Sequence, residues 1–249
     1  ISVKAPDGTI KTGDIASISQ SGDAGDIDVS AGEDVETGDI TSSGGNNSGD
    51  INVNSDNGGV TTENVATVAK NGDSGDVALG AWEQIITGDI TSAAGENSGD
   101  INVTSSNAGV TTENIATVAQ NGDSGNVAVS ALDNVQTGNI TSAAGNNSGD
   151  ITVTSSNAGV TTENLTTVAD NGDSGNVGVG ALDDIQTGDI TSVAGNNSGD
   201  ISVDSGNGGV VVGNLESGAV NGDSGNIALS GFEDVTAADI SSVAGGNSG

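Results

Sequence analysis

The stretch that decides the fold is TGNITSAAGNNSGDITVTSSNAGVTTENLTTVADNGDSGNVGV, which runs from Thr137 to Val179. It recurs five times with small changes, and rows that begin at every fiftieth residue align without an insertion or deletion. Within each period lies a shorter motif, Gly-(Asp/Asn)-(Ile/Val), which returns every 11 to 14 residues. Repetition at a fixed period is the signature of a repeat architecture, so it decides the fold class before any single residue does.

The composition excludes several classes of protein. The net charge is −32, aromatic residues make up 1%, and Cys and His are absent. Disulfides and thiolate metal sites therefore cannot form. The three cations, Lys4, Lys11 and Lys70, are too few for binding of nucleic acid through its phosphates. No apolar run approaches the length of a membrane span, and we expect no membrane insertion.

The apolar pattern predicts short strands and no helices. In Gly125–Ser130 and Gly149–Thr154 apolar and polar residues alternate, which places Val127 and Val129 on one face of a strand. Clusters of Asn, Gly, Asp and Ser separate these segments and favour turns. Short strands at near-even spacing without helices leave a sandwich, a barrel, a propeller or a solenoid.

The 50-residue unit divides into two similar halves, because Ile1 and Val3 match Ile27 and Val29 and the pattern restarts at Ile51. About 25 residues with two strong strand starts and a weaker one suit one coil of a parallel β-solenoid. We therefore predict an all-β solenoid of about ten coils. It forms a single domain of five repeats, which are residues 1–50, 51–100, 101–150, 151–200 and 201–249. A propeller is the structural alternative, but its blades usually carry aromatic signatures that this chain lacks.

In a solenoid, equivalent residues of the repeat stack into columns that run along the axis. We expect two apolar columns to fill a narrow core. They consist of Ile15, Val65, Ile115, Leu165 and Leu215, and of Gly32, Trp82, Leu132, Leu182 and Phe232.

The two ends of the repeat array predict self-association. Natural solenoids usually cap their terminal strands, and no capping segment is evident here. The chain begins with Ile1 and carries no leader, so we expect a processed mature protein or a segment of a longer one. Open head-to-tail contacts produce filaments. Lys4 and Lys11 of the first coil would then face Phe232, Glu233 and Asp234 of the last, and we predict that this junction fixes register.

Acidic loops raise the possibility of bound cations. Carboxylates stacked about 4.8 Å apart repel one another by roughly 1 kcal/mol in water. Alternation with Asn, high salt or bound Ca²⁺ would relieve this repulsion. The calcium candidates are Asp73, Asp76, Asp123, Asp173 and Asp223. No cofactor is otherwise required.

Threonine columns suggest a further alternative. Thr61, Thr111 and Thr161 share one repeat position, as do Thr41, Thr91, Thr141 and Thr191. Regular Thr arrays on a flat face can order water or ice, although Thr is also a common strand residue.

N-glycosylation is a possible modification in a secreted chain. The sequons are at Asn46, Asn102, Asn139, Asn146, Asn164 and Asn196.

Catalysis is not expected. The loops keep a constant length, the chain has no Arg or His, and its carboxylate pairs are repeat features rather than a unique constellation.

The segment Ile115–Val129 resembles curlin-type repeats, and the Gly-Asp-Ile-x-Val motif is similar to haemagglutinin-type repeat shafts. The resemblance covers the whole chain, but Asp and Ser stand where curlins carry many Gln and Asn, and the coil is slightly longer. It implies a secreted, self-assembling surface fibre and assigns no binding residue. We therefore expect a structural protein that forms an acidic extracellular filament of a cell surface or biofilm matrix. The alternatives are the shaft of a large secreted adhesin and a cation- or ice-binding module.

Overall fold

The computed structural model describes all 249 residues, Ile1–Gly249, and every regular element in it is a β-strand. The strands of the first five coils are β1 (Ser2–Ala5), β2 (Ile10–Lys11), β3 (Ile15–Ser19), β4 (Ile27–Ala31), β5 (Val35–Glu36), β6 (Ile40–Gly44), β7 (Ile51–Ser55), β8 (Val60–Thr61), β9 (Val65–Ala69), β10 (Val77–Ala81), β11 (Ile85–Ile86), β12 (Ile90–Ala94), β13 (Ile101–Ser105), β14 (Val110–Thr111) and β15 (Ile115–Ala119). Those of the second five are β16 (Val127–Ala131), β17 (Val135–Gln136), β18 (Ile140–Ala144), β19 (Ile151–Ser155), β20 (Val160–Thr161), β21 (Leu165–Ala169), β22 (Val177–Ala181), β23 (Ile185–Gln186), β24 (Ile190–Ala194), β25 (Ile201–Ser205), β26 (Val210–Val212), β27 (Leu215–Ala219), β28 (Ile227–Ser230), β29 (Val235–Ala237) and β30 (Ile240–Ala244).

These strands form three parallel sheets of ten strands each, and the predicted solenoid is confirmed. Every third strand joins the same sheet: sheet 1 runs from β1 to β28, sheet 2 from β2 to β29 and sheet 3 from β3 to β30. Each coil thus contributes one strand to each sheet and pairs with the coils before and after it. At about 4.8 Å per coil the rod is roughly 48 Å long. The pairing register is constant, as in Ile140↔Leu165 and Val127↔Ile151.

The Gly-(Asp/Asn)-(Ile/Val) motif marks where strands begin, as the sequence predicts. Ile15, Ile27, Ile40 and Ile51 are the first residues of β3, β4, β6 and β7. All four side chains are buried, and Ile27, Ile40 and Ile51 are completely shielded from solvent. Burial of a side chain of this size stabilises the fold by about 1.5–3 kcal/mol, so the motif supplies much of the core.

The core is a narrow prism whose apolar residues alternate with outward-facing polar ones. On sheet 1, Ile27, Val29 and Ala31 point inward, and Val35 and Ile40 do so on sheets 2 and 3. The predicted column that starts at Ile15 lies in this core and is buried throughout. Its members are Ile15, Val65, Ile115, Leu165 and Leu215.

The second predicted core column is wrong. Trp82 and Phe232 are 49% and 78% exposed, and Leu182 is also exposed. The reason is the two-residue period of a strand. Because Ala81 points inward at the end of β10, the residue that follows it must point outward. This column therefore lies on the outer corner between sheets 1 and 2.

Glycines occupy one corner of every coil, where successive backbones come unusually close. No residue of the chain, glycine or other, has a positive φ. A Cβ on Gly125 would instead lie within 3.0 Å of the carbonyl of Gly99 in the preceding coil. The glycine column is therefore explained by close approach between coils. Its members are Gly25, Gly49, Gly75, Gly99, Gly125, Gly149, Gly175, Gly199, Gly225 and Gly249.

Candidate functional site

Three columns of Asp and Asn, which we call the Asx ladders, bind each coil to the next. In each ladder the Oδ1 atom of one residue accepts the backbone N–H of its counterpart in the following coil. Oδ1 of Asp73 accepts the backbone N–H of Asn97 at 3.0 Å and the side-chain amide of Asn97 at 2.9 Å. The N–H of Asp73 donates in turn to Oδ1 of Asn47 at 2.9 Å. The ladders thus satisfy corner N–H groups that the sheets leave unpaired.

The first ladder alternates strictly between Asp and Asn. It consists of Asp23, Asn47, Asp73, Asn97, Asp123, Asn147, Asp173, Asn197, Asp223 and Asn247. Its carboxylates lie two coils apart, which reduces their repulsion in water from about 0.9 to about 0.4 kcal/mol per pair. Each carboxylate accepts hydrogen bonds from the intervening Asn. The alternation therefore both weakens the repulsion between carboxylates and supplies them with hydrogen-bond donors.

The other two ladders are less regular. The second contains the run Asp26, Asp50, Asp76 and Asp100 before Asn residues begin to alternate. The third starts with Asp14 and Asp39 and then contains mostly Asn. The carboxylates of these two ladders are therefore more frequent in the N-terminal half of the rod.

The calcium candidates fall into two ladders. Asp73, Asp123, Asp173 and Asp223 lie in the first, separated from one another by Asn, and Asp76 lies in the second. The structure brings no three carboxylates together in a cluster that could hold a metal ion. Calcium at these residues stays a prediction.

Asp23, the first residue of the first ladder, has a lowered pKa. A hydrogen bond from the side-chain amide of Asn46 and one from the backbone N–H of Asn47 hold the pKa of Asp23 below its ordinary value of 3.8. The bonds are 2.9 and 3.1 Å long. Because the pKa is depressed in the folded chain, the resulting stabilisation is present above the ordinary pKa and is lost as the pH falls through the folded value.

We expect a carbon-detected NMR titration to place the midpoint of Asp23 below 3.8, and Asn46→Ala to move it upward because the strongest donor is lost. Asn146→Ala removes the equivalent donor to Asp123, 2.8 Å away, and serves as the matched control. It should leave the Asp23 midpoint unchanged. A midpoint of Asp23 that is the same with and without Asn46 would contradict this assignment.

The predicted junction residues lie at opposite ends of the rod. Lys4 is exposed on β1 and has no ion-pair partner in the chain. Nζ of Lys11, however, lies 2.7 Å from Oε1 of Glu36, in the next coil of the same chain. Phe232, Glu233 and Asp234 are exposed together on the corner that follows β28. Both sets of residues are therefore exposed at the ends of the rod, and Lys11 already forms an ion pair within its own chain.

The sequons differ in the freedom of their amide groups. The amide nitrogens of Asn139 and Asn164 donate within the third ladder at 3.1 and 3.0 Å. Those of Asn46 and Asn146 donate to the first ladder. The amides of Asn102 and Asn196 are exposed without a protein partner. Glycosylation stays a prediction, and these two residues are the least obstructed acceptors.

The threonine columns do not form a continuous outer array. Thr61 is flanked on β8 by Glu36 and Ile86 of the adjacent coils, so exposed Thr residues of this column lie two coils apart. Thr62 faces inward, is 5% exposed and donates to Oγ1 of Thr87 at 2.8 Å. On sheet 3 only Thr141, Thr166 and Thr191 are adjacent on the outer face. The longest threonine column is therefore internal, and its buried members are Thr37, Thr62, Thr87, Thr112, Thr137, Thr162 and Thr187.

Sequence reasoning missed a column of buried hydroxyl groups at the corner between sheets 3 and 1. Oγ of Ser142 donates to the carbonyl of Gly125, accepts the N–H of Gly149 at 2.9 Å and contacts Oγ of Ser124 at 2.6 Å. Every buried polar side-chain atom in the chain has such a partner. The clue in the sequence was that Ser or Thr stands two residues after the strand-starting Ile, where an inward residue is required.

The structure has no helix that is long and apolar enough to cross a membrane. Comparisons with protein-family models, with curated proteins and with solved structures found no match.

Proposed function

We propose that this chain is a structural rod that stacks head to tail into an acidic extracellular fibre. One observation supports the proposal most directly. Ile240 of β30 is 59% exposed and Val235 of β29 is 45% exposed, whereas Ile140, the equivalent of Ile240 in an inner coil, is fully buried. A further coil, such as the first coil of a second copy, would cover this apolar surface as each inner coil is covered by the next.

The first coil carries the three strand edges that would pair with the last coil of another copy. Extending the register by one coil places β1 of a second copy against β28, with Lys4 over Ser230. Lys11 would lie over Thr236, two residues beyond Asp234. Unpaired parallel strand edges are templates for such addition, and a contact that does not close on itself generates a filament.

The net charge favours end-to-end over side-by-side contact. A charge of −32 makes the long faces of two rods repel one another. At physiological ionic strength this repulsion is screened over about 8 Å, so contacts made at the rod ends are opposed only by nearby charges. The chemistry thus suits a thin filament in a saline extracellular medium. Secretion to a cell surface or biofilm matrix is part of the proposal and rests on the resemblance to curlin and haemagglutinin-type repeats.

The test is filament growth by the purified chain, followed by electron microscopy and fibre diffraction. We expect filaments with an axial repeat of about 4.8 Å. Ile240→Asp should abolish them, because it places a charge on the apolar end. Ile86→Asp makes the same change at an outward residue in the middle of the rod, 43% exposed, and should grow filaments normally. Equal growth by the two variants would refute end-to-end stacking.

A second prediction concerns the lysine at the junction. Lys4→Glu should slow filament elongation several-fold at low salt, because the new carboxylate would lie over Ser230, on the coil of the preceding copy that also carries Glu233 and Asp234. Raising the salt should restore the rate through screening. Lys70→Glu changes the net charge equally but lies in the third coil, away from the junction, and should have a smaller effect. Identical elongation rates for the two variants would remove Lys4 from the junction.

The shaft of a large secreted adhesin remains the alternative function. The same exposed end would then be covered by further coils of one longer chain. A purified chain that stays monomeric under all conditions, yet keeps its strand content, would favour the shaft over the filament.

A further inference from the structure

The outer face of sheet 1 is corrugated with a period of two coils. The outward residues of β10 are small, Ala78 and Gly80, whereas those of the flanking strands are larger and polar. The flanking residues are Asn52 and Asn54 on β7 and Asn102 and Thr104 on β13. A shallow groove therefore runs along β10, with β7 and β13 as its walls. Its two connected parts, of about 320 and 310 Å³, share Asn54, Gly80 and Thr104.

The groove ends at Trp82, the single tryptophan of the chain. The indole is 49% exposed, and its N–H has no partner in the protein. The ring stands at the outer corner between sheets 1 and 2, where other coils carry Leu132, Leu182 and Phe232, and it is the only indole at this position. The exposed indole thus offers a ligand in the groove an apolar surface on which to pack.

The polar groups along the groove are free to bond. The side-chain amide of Asn102 makes no hydrogen bond within the protein, and Thr104 accepts one at 3.2 Å from Ser130 but keeps its own O–H. Asn54 donates to Asp56 at 2.6 Å and retains its carbonyl oxygen as an acceptor. Donors and acceptors thus line the groove, and Asp56 is the one charged residue of its lining.

We propose that this groove, the Trp82 groove, binds a neutral oligosaccharide. The C–H face of a sugar ring packs on an aromatic ring, and its hydroxyl groups pair with amides and hydroxyls such as those of Asn102 and Thr104. The groove measures about 9.6 Å between its walls and about 13 Å from Ala78 to Trp82, which accommodates a short, extended run of sugar rings. The net charge of −32 disfavours anionic glycans.

The repeat supplies internal comparisons for this groove. A corresponding depression of about 250 Å³ over β16 ends at Leu132, and the same position carries Leu182 over β22. These grooves have similar walls but no aromatic platform. Gly180 on β22 is the equivalent of Gly80 on β10. Binding should therefore depend on Trp82 and on the open floor at Gly80.

Tryptophan fluorescence reports this site alone, because the chain has one Trp and no Tyr. We expect titration with cellohexaose or chitohexaose to shift the emission of Trp82 saturably for at least one of them. No shift with either, and no heat of binding by calorimetry, would overturn the proposal.

Two variants locate the site. Gly80→Asn fills the floor and should weaken binding at least tenfold, while Gly180→Asn fills the equivalent groove and should leave it unchanged. Trp82→Leu reproduces the residue found at Leu132 and Leu182, so it should fold normally and lose the heat of binding. Equal affinity of the Gly80→Asn and Gly180→Asn variants would overturn the assignment.

Discussion

Gly125→Ala is expected to lower the melting temperature of the rod by about 6–12 °C. A methyl group at this corner would meet the backbone carbonyl of Gly99, which cannot move without displacing its whole coil. Overpacking against flexible side chains costs about 1–3 kcal/mol, and a clash with the backbone of the preceding coil belongs at or above the upper end of that range. The measurement is thermal unfolding followed by circular dichroism.

Gly178→Ala is the matched control, because a Cβ at Gly178 meets nothing within 4 Å. Alanine already stands at the equivalent positions Ala78, Ala128 and Ala228. This variant should melt within about 2 °C of the parent, or slightly above it, since alanine reduces the conformational freedom of the unfolded chain. If the two variants melt together, close approach of the coils does not explain the glycine column.

Ser142→Ala is expected to destabilise the chain by about 2–3 kcal/mol. Ser142 is fully buried, and its Oγ takes part in three hydrogen bonds, to Gly125, Gly149 and Ser124. Each bond contributes about 1 kcal/mol net, and buried partners left without a bond raise the cost further. The loss is measured as the difference in free energy of unfolding in urea.

Ser130→Ala removes a hydroxyl of the same size from the outer face of sheet 1. Its Oγ makes one exposed hydrogen bond, to Thr104 at 3.2 Å, so the change should cost less than about 0.5 kcal/mol. A loss at Ser142 no larger than that at Ser130 would show that the buried hydroxyl column is dispensable.

The repeat was sufficient to predict the fold because strand starts are encoded locally. Ile27, Ile40 and Ile51 follow Gly-Asp, begin strands and lie in the core. The face on which Trp82 lies could have been derived as well. Counting inward residues by twos from Val77 to Ala81 places residue 82 outside, but its large apolar side chain suggested burial.

The contacts between coils were harder to predict. Coils are related by steps of 24 to 26 residues, so equivalent residues of the 50-residue repeat lie two coils apart. Thr61 therefore neighbours Glu36 and Ile86 rather than Thr111. The stacking of Asp73 with Asn47 and Asn97 depends on this offset. The register between coils depends on how coils of 24 to 26 residues stack on one another, and the 50-residue repeat length alone does not predict it.

The direction of the backbone hydrogen bonds has a mechanical consequence. In all three sheets the bonds between coils run along the rod axis, so a pull on its two ends loads them one coil at a time rather than all together. Each coil that opens replaces about 4.8 Å of rod with roughly 85 Å of extended chain. The molecule can therefore lengthen many times over under load while its remaining coils stay folded.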